Sequence, residues 1–469
     1  MSRYQWTRRE VLKAGAAAVA LPAVVPARVL GLDGSAPPSE TVRVGVIGCG
    51  GRARLIREGA DVKGFRVVAA ADCEIKKAEQ YVRELSGGQP WGVYDDFRRM
   101  IEKEKLHGVM VETPTHPRAW ITIHAMLMGM DVYIEKPMCL TIAEGRAMVN
   151  AARKLDRVTQ VGTQQRSMPI NNWASDLVKN GALGKITTVL APNFVGSFRW
   201  TKTSSKDVQG PVDRWWDIWT NQAELRPYSP ELHHGWARWW DYDGGGLCFG
   251  VTGWGTHSYD QINRALGTDD TGPVQVLLEE PVDPDSDTYK TVKGTTVGGV
   301  VVGETGDIDT GTDYHGMARL KGPRAKMTMT FATGTELKLH LDGNRGPGLG
   351  AIFTGTQGKI EINRNKLASN PKEIVRSADN PGPNRRPETA YHIENWIECI
   401  KSRKRCTADI EIGQRATTLC YLVNIVRDVG RVGQPLRWDP VAERFPDCPE
   451  ANQHLDRPRR KGYELPKVG

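Results

Sequence analysis

The stretch VRVGVIGCGGRA, residues 42–53, decides how the rest of the chain is read. Its first half is a short β-branched apolar run with no polar alternation, the pattern of a parallel strand covered on both faces. It then breaks into Gly48, Gly50 and Gly51, followed by Arg52 and Ala53. Gly48 can make a tight turn, Gly50 lets backbone approach a pyrophosphate, and Ala53 is small enough for a following helix to pack closely on the strand. A helix starting here aims free N–H groups and its positive dipole end at the same anion. A dinucleotide site is expected, with Gly51 and Arg52 in its loop.

A second run, FRVVAAA, ends at Asp72, 24 residues after Gly48. A carboxylate there binds a ribose 2′-hydroxyl and repels a 2′-phosphate, so NAD is expected over NADP. The alternation continues through WGVY, HGVMVET, DVYIE and VTQVGT, with helical stretches from Asp95, after Pro117 and from Thr141. Strands alternating with such helices build βαβ units on a parallel sheet.

At 469 residues the chain is too long for one ordinary core and predicts two to three domains. With 39% hydrophobic and 25% charged residues the composition is globular. Half of the formal charge of +8 lies in residues 1–32, where Arg3, Arg8, Arg9, Lys13 and Arg28 face a single acid, Glu10. No basic stripe or zinc spacing accompanies the rest, so no nucleic-acid partner is expected. The cysteines (Cys49, Cys73, Cys139, Cys248, Cys399, Cys406, Cys420 and Cys448) form no CxxC pair. They read as small buried apolar residues, with no metal expected. An oxidising compartment would permit a bridge among the last four.

Thr7-Arg8-Arg9-Glu10-Val11-Leu12-Lys13 precedes a weakly apolar core, AGAAAVALPAVV, and then Pro26 and Arg28. This is a signal-peptide layout. The paired arginines resemble a twin-arginine (Tat) signal, which addresses a folded protein for export. Residues 1–32 are therefore expected to be a Tat-type signal and residues 33–40 a flexible lead-in. The expected location is periplasmic or otherwise exported, with no membrane contact after export.

Glu135-Lys136-Pro137 closes the fifth strand, on the ligand side of a parallel sheet. Together with Thr113-Pro114-Thr115-His116, with Gly162-Thr163-Gln164-Gln165-Arg166 and with Gly255-Thr256-His257-Ser258-Tyr259-Asp260, it resembles the glucose-fructose oxidoreductase, inositol dehydrogenase and MocA (Gfo/Idh/MocA) family, in its exported branch. The resemblance extends through WDIWTNQAELRPYSPELHHGWARWWDYDGGG and GAIFTGTQGKIEINR to CIKSRKRCTADIEIGQRATTLCYLVNI and RWDPVAERF. It implies an α/β protein: an N-terminal Rossmann domain with a doubly wound parallel sheet, residues 41–162, and a C-terminal α+β domain with a large, open, mainly antiparallel sheet, residues 163–435. Residues 436–469 would form a tail packing on the body. The second half shows strands at KITTVLAPNF, VQVLLEE, AKMTMTFA, ELKLHLDG and GKIEINR, loops between about 282 and 316, and helices from His392 and Ile412.

The resemblance also implies hydride transfer between NAD(P) and a sugar or polyol, and a homo-oligomer, dimer or tetramer. Lys136 would stabilise the reacting oxygen and His257 would be the base. Cofactor contacts would come from the glycine loop, Asp72, Thr113, Pro114, His116, Glu135, Lys136 and Gln164. The pattern departs at Gly253, where the family often has an acid, and at Arg118, where it often has a second histidine. Tyr242, Asp243, His234 and Asp260 are then the candidates for a replacement relay, with Tyr242 and Asp243 expected to serve. Arg166, His233, His234, Trp236 and Asp260 are expected at the substrate. Seven of fourteen tryptophans lie between Trp200 and Trp240, flat faces of the kind a sugar site uses. Two other readings share the scaffold: an NAD-dependent glycosidase or lyase, and a catalytically silent sugar-binding protein.

Overall fold

β1 (Val42–Ile47) lies inside a six-stranded parallel sheet of order β3-β2-β1-β4-β5-β6. Its partners on either side are β2 (Phe65–Ala71) and β4 (Gly108–Val111). The edges are β3 (Gly92–Tyr94) on one side and β5 (Asp131–Ile134) with β6 (Thr159–Val161) on the other. The computed structural model describes residues 40–246, 249–286, 296–297, 300–301, 322–341, 347–364 and 366–468. The expected signal and most of the expected lead-in therefore lie outside the described residues.

Burial on both faces explains the apolar strands. Val44 and Val46 are fully buried, packed with Tyr81, Ile393, Trp396 and Ile397. The opposite face packs on Met100, Ala119, Ile123, Met148 and Val149. The helices are α1 (Ile75–Leu85), α2 (Phe97–Lys103), α3 (Arg118–Leu127) and α4 (Ile142–Lys154). Asp96 caps α2 by accepting from the Arg98 N–H, and Thr141 caps α4 by accepting from Glu144. Between β1 and β2 the chain forms a 3₁₀ helix (Arg52–Gly59) where an α-helix was expected.

The strand order reverses between β1 and β4. Neighbouring loops separate there, and a crevice opens at the carboxyl ends of the strands.

After α5 (Pro169–Lys179) the chain builds an eight-stranded mixed sheet of order β15-β14-β13-β7-β12-β11-β8-β16. Five strands lie on the expected stretches: β7 (Ile186–Pro192), β8 (Pro273–Leu278), β11 (Met327–Phe331), β12 (Glu336–Leu341) and β14 (Gly358–Asn363). Three were not expected: β13 (Ala351–Gly355), β15 (Lys366–Asn370) and β16 (Leu436–Arg437). Only β7 and β12 pair in parallel; the other pairings are antiparallel. The backbone of Thr296–Val297 and Val300–Val301 forms an antiparallel pair, β9 and β10, inside the stretch expected as loops. The rest of that stretch beyond residue 286 lies outside the described residues.

The short α6 (Arg214–Thr220) and α7 (Pro230–His234) carry part of the tryptophan-rich segment. α8 (Trp254–Leu266) lies on the second sheet and ends at Gly267, whose φ of +69° is the left-handed conformation glycine favours. α9 (Glu388–Ser402) starts before His392 and packs against the first sheet, where a Cβ at Gly108 would stand 3.1 Å from the Trp396 ring. α10 (Ile410–Val429) packs between α8 and α4. Downstream, Trp438, Phe445, Cys448 and Ala451 join the second core, α11 (Pro449–Asn452) included. The chain then returns to the first half, where Leu465 and Val468 pack beneath the helices of the parallel sheet. The seven described cysteines are free thiols, six of them buried.

Candidate active site

The glycine loop leaves β1 at Gly48, whose φ is +89° and whose position a Cβ would bring to 2.9 Å from the Thr113 backbone N. Only glycine fits that turn. A Cβ at Gly50 or Gly51 would meet nothing within 4 Å, so both backbones face open space. Ala53 is buried below the loop, and its carbonyl accepts from the Tyr81 hydroxyl.

Asp72 stands at the end of β2. One carboxylate oxygen accepts from the Cys49 N–H and the other from Glu74 N–H, each at 2.9 Å. Burial raises its pKa against those two bonds. The loop and Asp72 form one end of a cleft of about 1080 Å³. Such a volume suits an extended ligand. Open glycine backbone, a fixed carboxylate and this length fit a dinucleotide, with Asp72 on the adenosine ribose and the β4 and β5 ends beside the nicotinamide.

At that second end Glu135 gathers four donors, the longest from the Tyr133 hydroxyl to Oε1 at 3.4 Å. Arg52 Nε lies 2.8 Å from Oε1, Gln164 Nε2 reaches the same oxygen at 3.1 Å, and the Lys136 N–H reaches Oε2 at 3.1 Å. Burial alone would raise the Glu135 pKa, but Arg52, Lys136 and Arg118 hold it down. Neighbouring Glu112 is pushed the other way, by burial and by the Glu135 charge. Thr113, Pro114 and Gln164 line the same part of the cleft.

Lys136 Nζ donates to the Gly253 carbonyl at 3.1 Å. Burial lowers its pKa, with Glu135 opposing. His257, one turn into α8, also lines the cleft, and its Nδ1 has no hydrogen-bond partner among the described residues. Its pKa is lowered well below the ordinary histidine value, first by burial and then by the charge of Lys136. A neutral imidazole lining a cleft can accept a proton. Asp243 accepts from the Thr115 and Thr252 hydroxyls and feels the charges of Arg118 and Lys136. Arg118, in the place of the second histidine, donates to Thr115 Oγ1 at 3.2 Å and to the Pro137 carbonyl at 2.5 Å.

Five expected site residues do not line this cleft: Ala53, buried below the loop, and the four that follow. His116 Nε2 donates to the Trp219 carbonyl at 2.6 Å, and its ring is packed between Trp219 and Tyr242. Tyr242 is fully buried in that aromatic cluster. Arg166 and Asp260 pair with each other at 2.7 Å, and Arg166 also holds Asp269. A buried guanidinium needs such partners, and here they come from the protein itself. His233, His234 and Trp236 do line the cleft, but His233 lies at its Asp72 end, beside Lys77.

Sequence motifs missed several lining residues. Arg364 and Glu388 form a 2.8 Å ion pair at the His257 end, joining the end of β14 to the start of α9. Trp254 and Tyr463 line other parts, as does Trp219 of the tryptophan-rich segment expected at a sugar. Arg364, Glu388 and Tyr463 sit beside no motif and the tertiary fold alone brings them in, whereas Trp254 directly precedes the Gly255-Thr256-His257 stretch.

Residues 42–163 match the oxidoreductase family NAD-binding Rossmann fold (GFO_IDH_MocA), and residues 169–323 and 307–465 match the oxidoreductase family C-terminal alpha/beta domain. The chain belongs to the Gfo/Idh/MocA oxidoreductase family. In this family member the D-glucoside 3-dehydrogenase of Escherichia coli K12 is matched at 28% identity over 38% of the chain and 50% of the relative. A glycosyl hydrolase family 109 protein 1 of a Shewanella species (strain ANA-3) is matched at 25% identity, over 45% of the chain and 47% of the relative. The chain thus spans half or less of the length of these curated relatives. Among solved structures, the WlbA dehydrogenase of Bordetella pertussis with NADH and UDP-GlcNAcA shares the fold, at TM-score 0.54 and 14% identity, covering 85% of this chain and 99% of that one. Residues 42–163 of this Gfo/Idh/MocA protein are therefore its NAD-binding domain.

Proposed function

We propose that the chain is an NAD-dependent oxidoreductase that moves hydride between a sugar or polyol CH–OH group and a tightly held nicotinamide cofactor, after export of the folded protein through the twin-arginine route. The observation that carries the reading is the meeting of Lys136 and His257 at one end of a cleft whose other end holds Asp72 and the open glycine loop.

Gly48, Gly50, Gly51 and Asp72 would hold the dinucleotide, with Glu135 and Gln164 beside its nicotinamide end. Bound NAD supplies the hydride acceptor. Lys136 stabilises the charge that develops on the substrate oxygen. His257, neutral for the reasons above, accepts the hydroxyl proton. Asp243, held by Thr115 and Thr252, fixes the field at Lys136. Export is supported by Arg8-Arg9 and the weakly apolar core that follows. A cofactor loaded before export must then be retained and recycled.

Incubation of the purified protein with sugars, glycosides and polyols tests the reading through A340 and through product analysis. Oxidation of a hydroxyl with NADH formation, or with reduction of a second sugar, is expected. The relative in glycosyl hydrolase family 109 supports one second reading, redox-assisted glycoside cleavage. Release of a free sugar with no net NADH would select it. Binding without either product would reject both.

A further inference from the structure

Trp219 and Trp236 of the tryptophan-rich segment line the cleft, and the segment also extends beyond the cleft's Lys136 end. It reaches the ends of β2 and β3, the adenosine side of the crevice. Lys77 Nζ, on α1 just after Asp72, lies 2.9 Å from His233 Nε2 on α7. Glu74 Oε2 holds the same lysine at 2.8 Å. The side chain of Cys73 packs against the cluster of Trp200, Trp216, Trp219, Leu232 and Tyr242. Arg214, at the start of α6, pairs with Asp95 beyond β3 at 2.8 Å. That pair is exposed and weak alone.

The far side of α6 is held by the C-terminal tail. Arg460 bonds Asp217 and the Asn221 carbonyl, and the Tyr463 hydroxyl reaches Asp217 Oδ2 at 3.0 Å. The Tyr463 ring packs on Trp120, 5.5 Å between centroids. The segment is therefore fastened both to the parallel sheet and to the tail. His233, His234 and Trp236 meanwhile share the cleft with Asp72 and Cys73.

We infer that residues 214–236 are the outer wall of the adenosine pocket, latched by Lys77 and His233, so that the segment must lift before a dinucleotide enters or leaves. The purine and its ribose are the ligand chemistry that an imidazole, an indole and a carboxylate around one pocket would take. His233, His234 and Trp236 then serve cofactor retention. The inference rests on the reading of this groove as the dinucleotide site, and it gives that reading its means of keeping cofactor through export.

The test loads the full-length protein with NADH, removes free nucleotide, and follows loss of bound-NADH fluorescence after addition of excess NAD. Association is measured by mixing apo-protein with NADH. Lys77→Ala and His233→Ala are each expected to raise both rates at least 10-fold, with the double variant no faster than the faster single one and the apo-protein melting temperature unchanged for Lys77→Ala. Lys77 is partly exposed, so its variant keeps the test valid if His233→Ala fails to fold. Unchanged rates in the folded Lys77→Ala variant would overturn the latch. A wild-type protein that binds no NADH would instead overturn the dinucleotide reading.

Discussion

The Lys136 ammonium and the Gly253 carbonyl, 3.1 Å apart, tie the end of β5 to the residue that opens α8. The bond joins the two halves of the fold at the point where His257 enters the cleft. The proposed mechanism assigns this lysine to the reacting oxygen and leaves the pyrophosphate to the loop at Gly48–Gly51. Lys136→Ala is therefore expected to lower turnover at least about 10²-fold, the range for one electrostatic or acid–base group. Nucleotide released on denaturation should match the wild type. Near-normal turnover would remove Lys136 from the chemistry.

Asp72 is proposed to separate NAD from NADP, by a ribose bond and a repulsive charge acting together. Asp72→Ala should weaken NAD binding and bring the two dissociation constants closer. Titration with both nucleotides measures this. An unchanged ratio would place selectivity elsewhere in the groove.

Arg166 and Asp260, expected at the substrate, instead form a buried pair tying the segment after β6 to α8. Removing one member leaves a buried charge, at a cost of about 3–5 kcal/mol. Asp260→Asn should lower the melting temperature and leave KM unchanged in the protein that folds. A raised KM with unchanged stability would return the pair to the substrate site.

The parallel sheet was legible because its strands must be apolar on both faces, and the glycine loop because Gly48 needs positive φ. Lys136 was legible through its place at a strand end. His116 and Tyr242 were misplaced because sequence neighbours of a motif need not face its cavity; both pack on Trp219 instead. Strands β13 and β15 lack a strong signal of their own and form by pairing with their neighbours. Arg364 and Glu388 come to the cleft from opposite sides of a stretch without a motif, a juxtaposition that only the folded chain makes.

Buried histidines make stability depend on pH. Burial lowers the pKa of His116 to about 3 and of His392 to about 4, against about 6.5 in the unfolded chain. Below 6.5 the unfolded state binds protons that the folded state does not, so stability falls as pH falls and goes on falling toward the folded pKa values. At pH 5 each such histidine costs at most about 2 kcal/mol. The melting temperature should drop between pH 7.5 and 5, and His392→Gln should make the drop shallower. An identical slope would show that His392 is not buried neutral.

Gly253 leaves the first turn of α8 without a side-chain cap, where the family often carries an acid. As the proposed base, His257 would work without that carboxylate, and its depressed pKa keeps it neutral as pH falls through 6.5. Turnover limited by this base should hold through that range and fail only at lower pH. His257→Ala should cost about 10²–10⁴-fold. Asp243→Asn should cost about 10-fold, because it removes a negative charge that Lys136 feels. Gly253→Asp would cap α8 and set a carboxylate beside Lys136. It should fold and shift the acid limb of the pH profile upward, since a nearby anion favours the protonated imidazole. It should not raise turnover, because the new carboxylate also pairs with the Lys136 charge that the reaction uses. The measurement is the pH dependence of turnover in the three variants. An acid limb that stays in place without His257 would remove it from the mechanism.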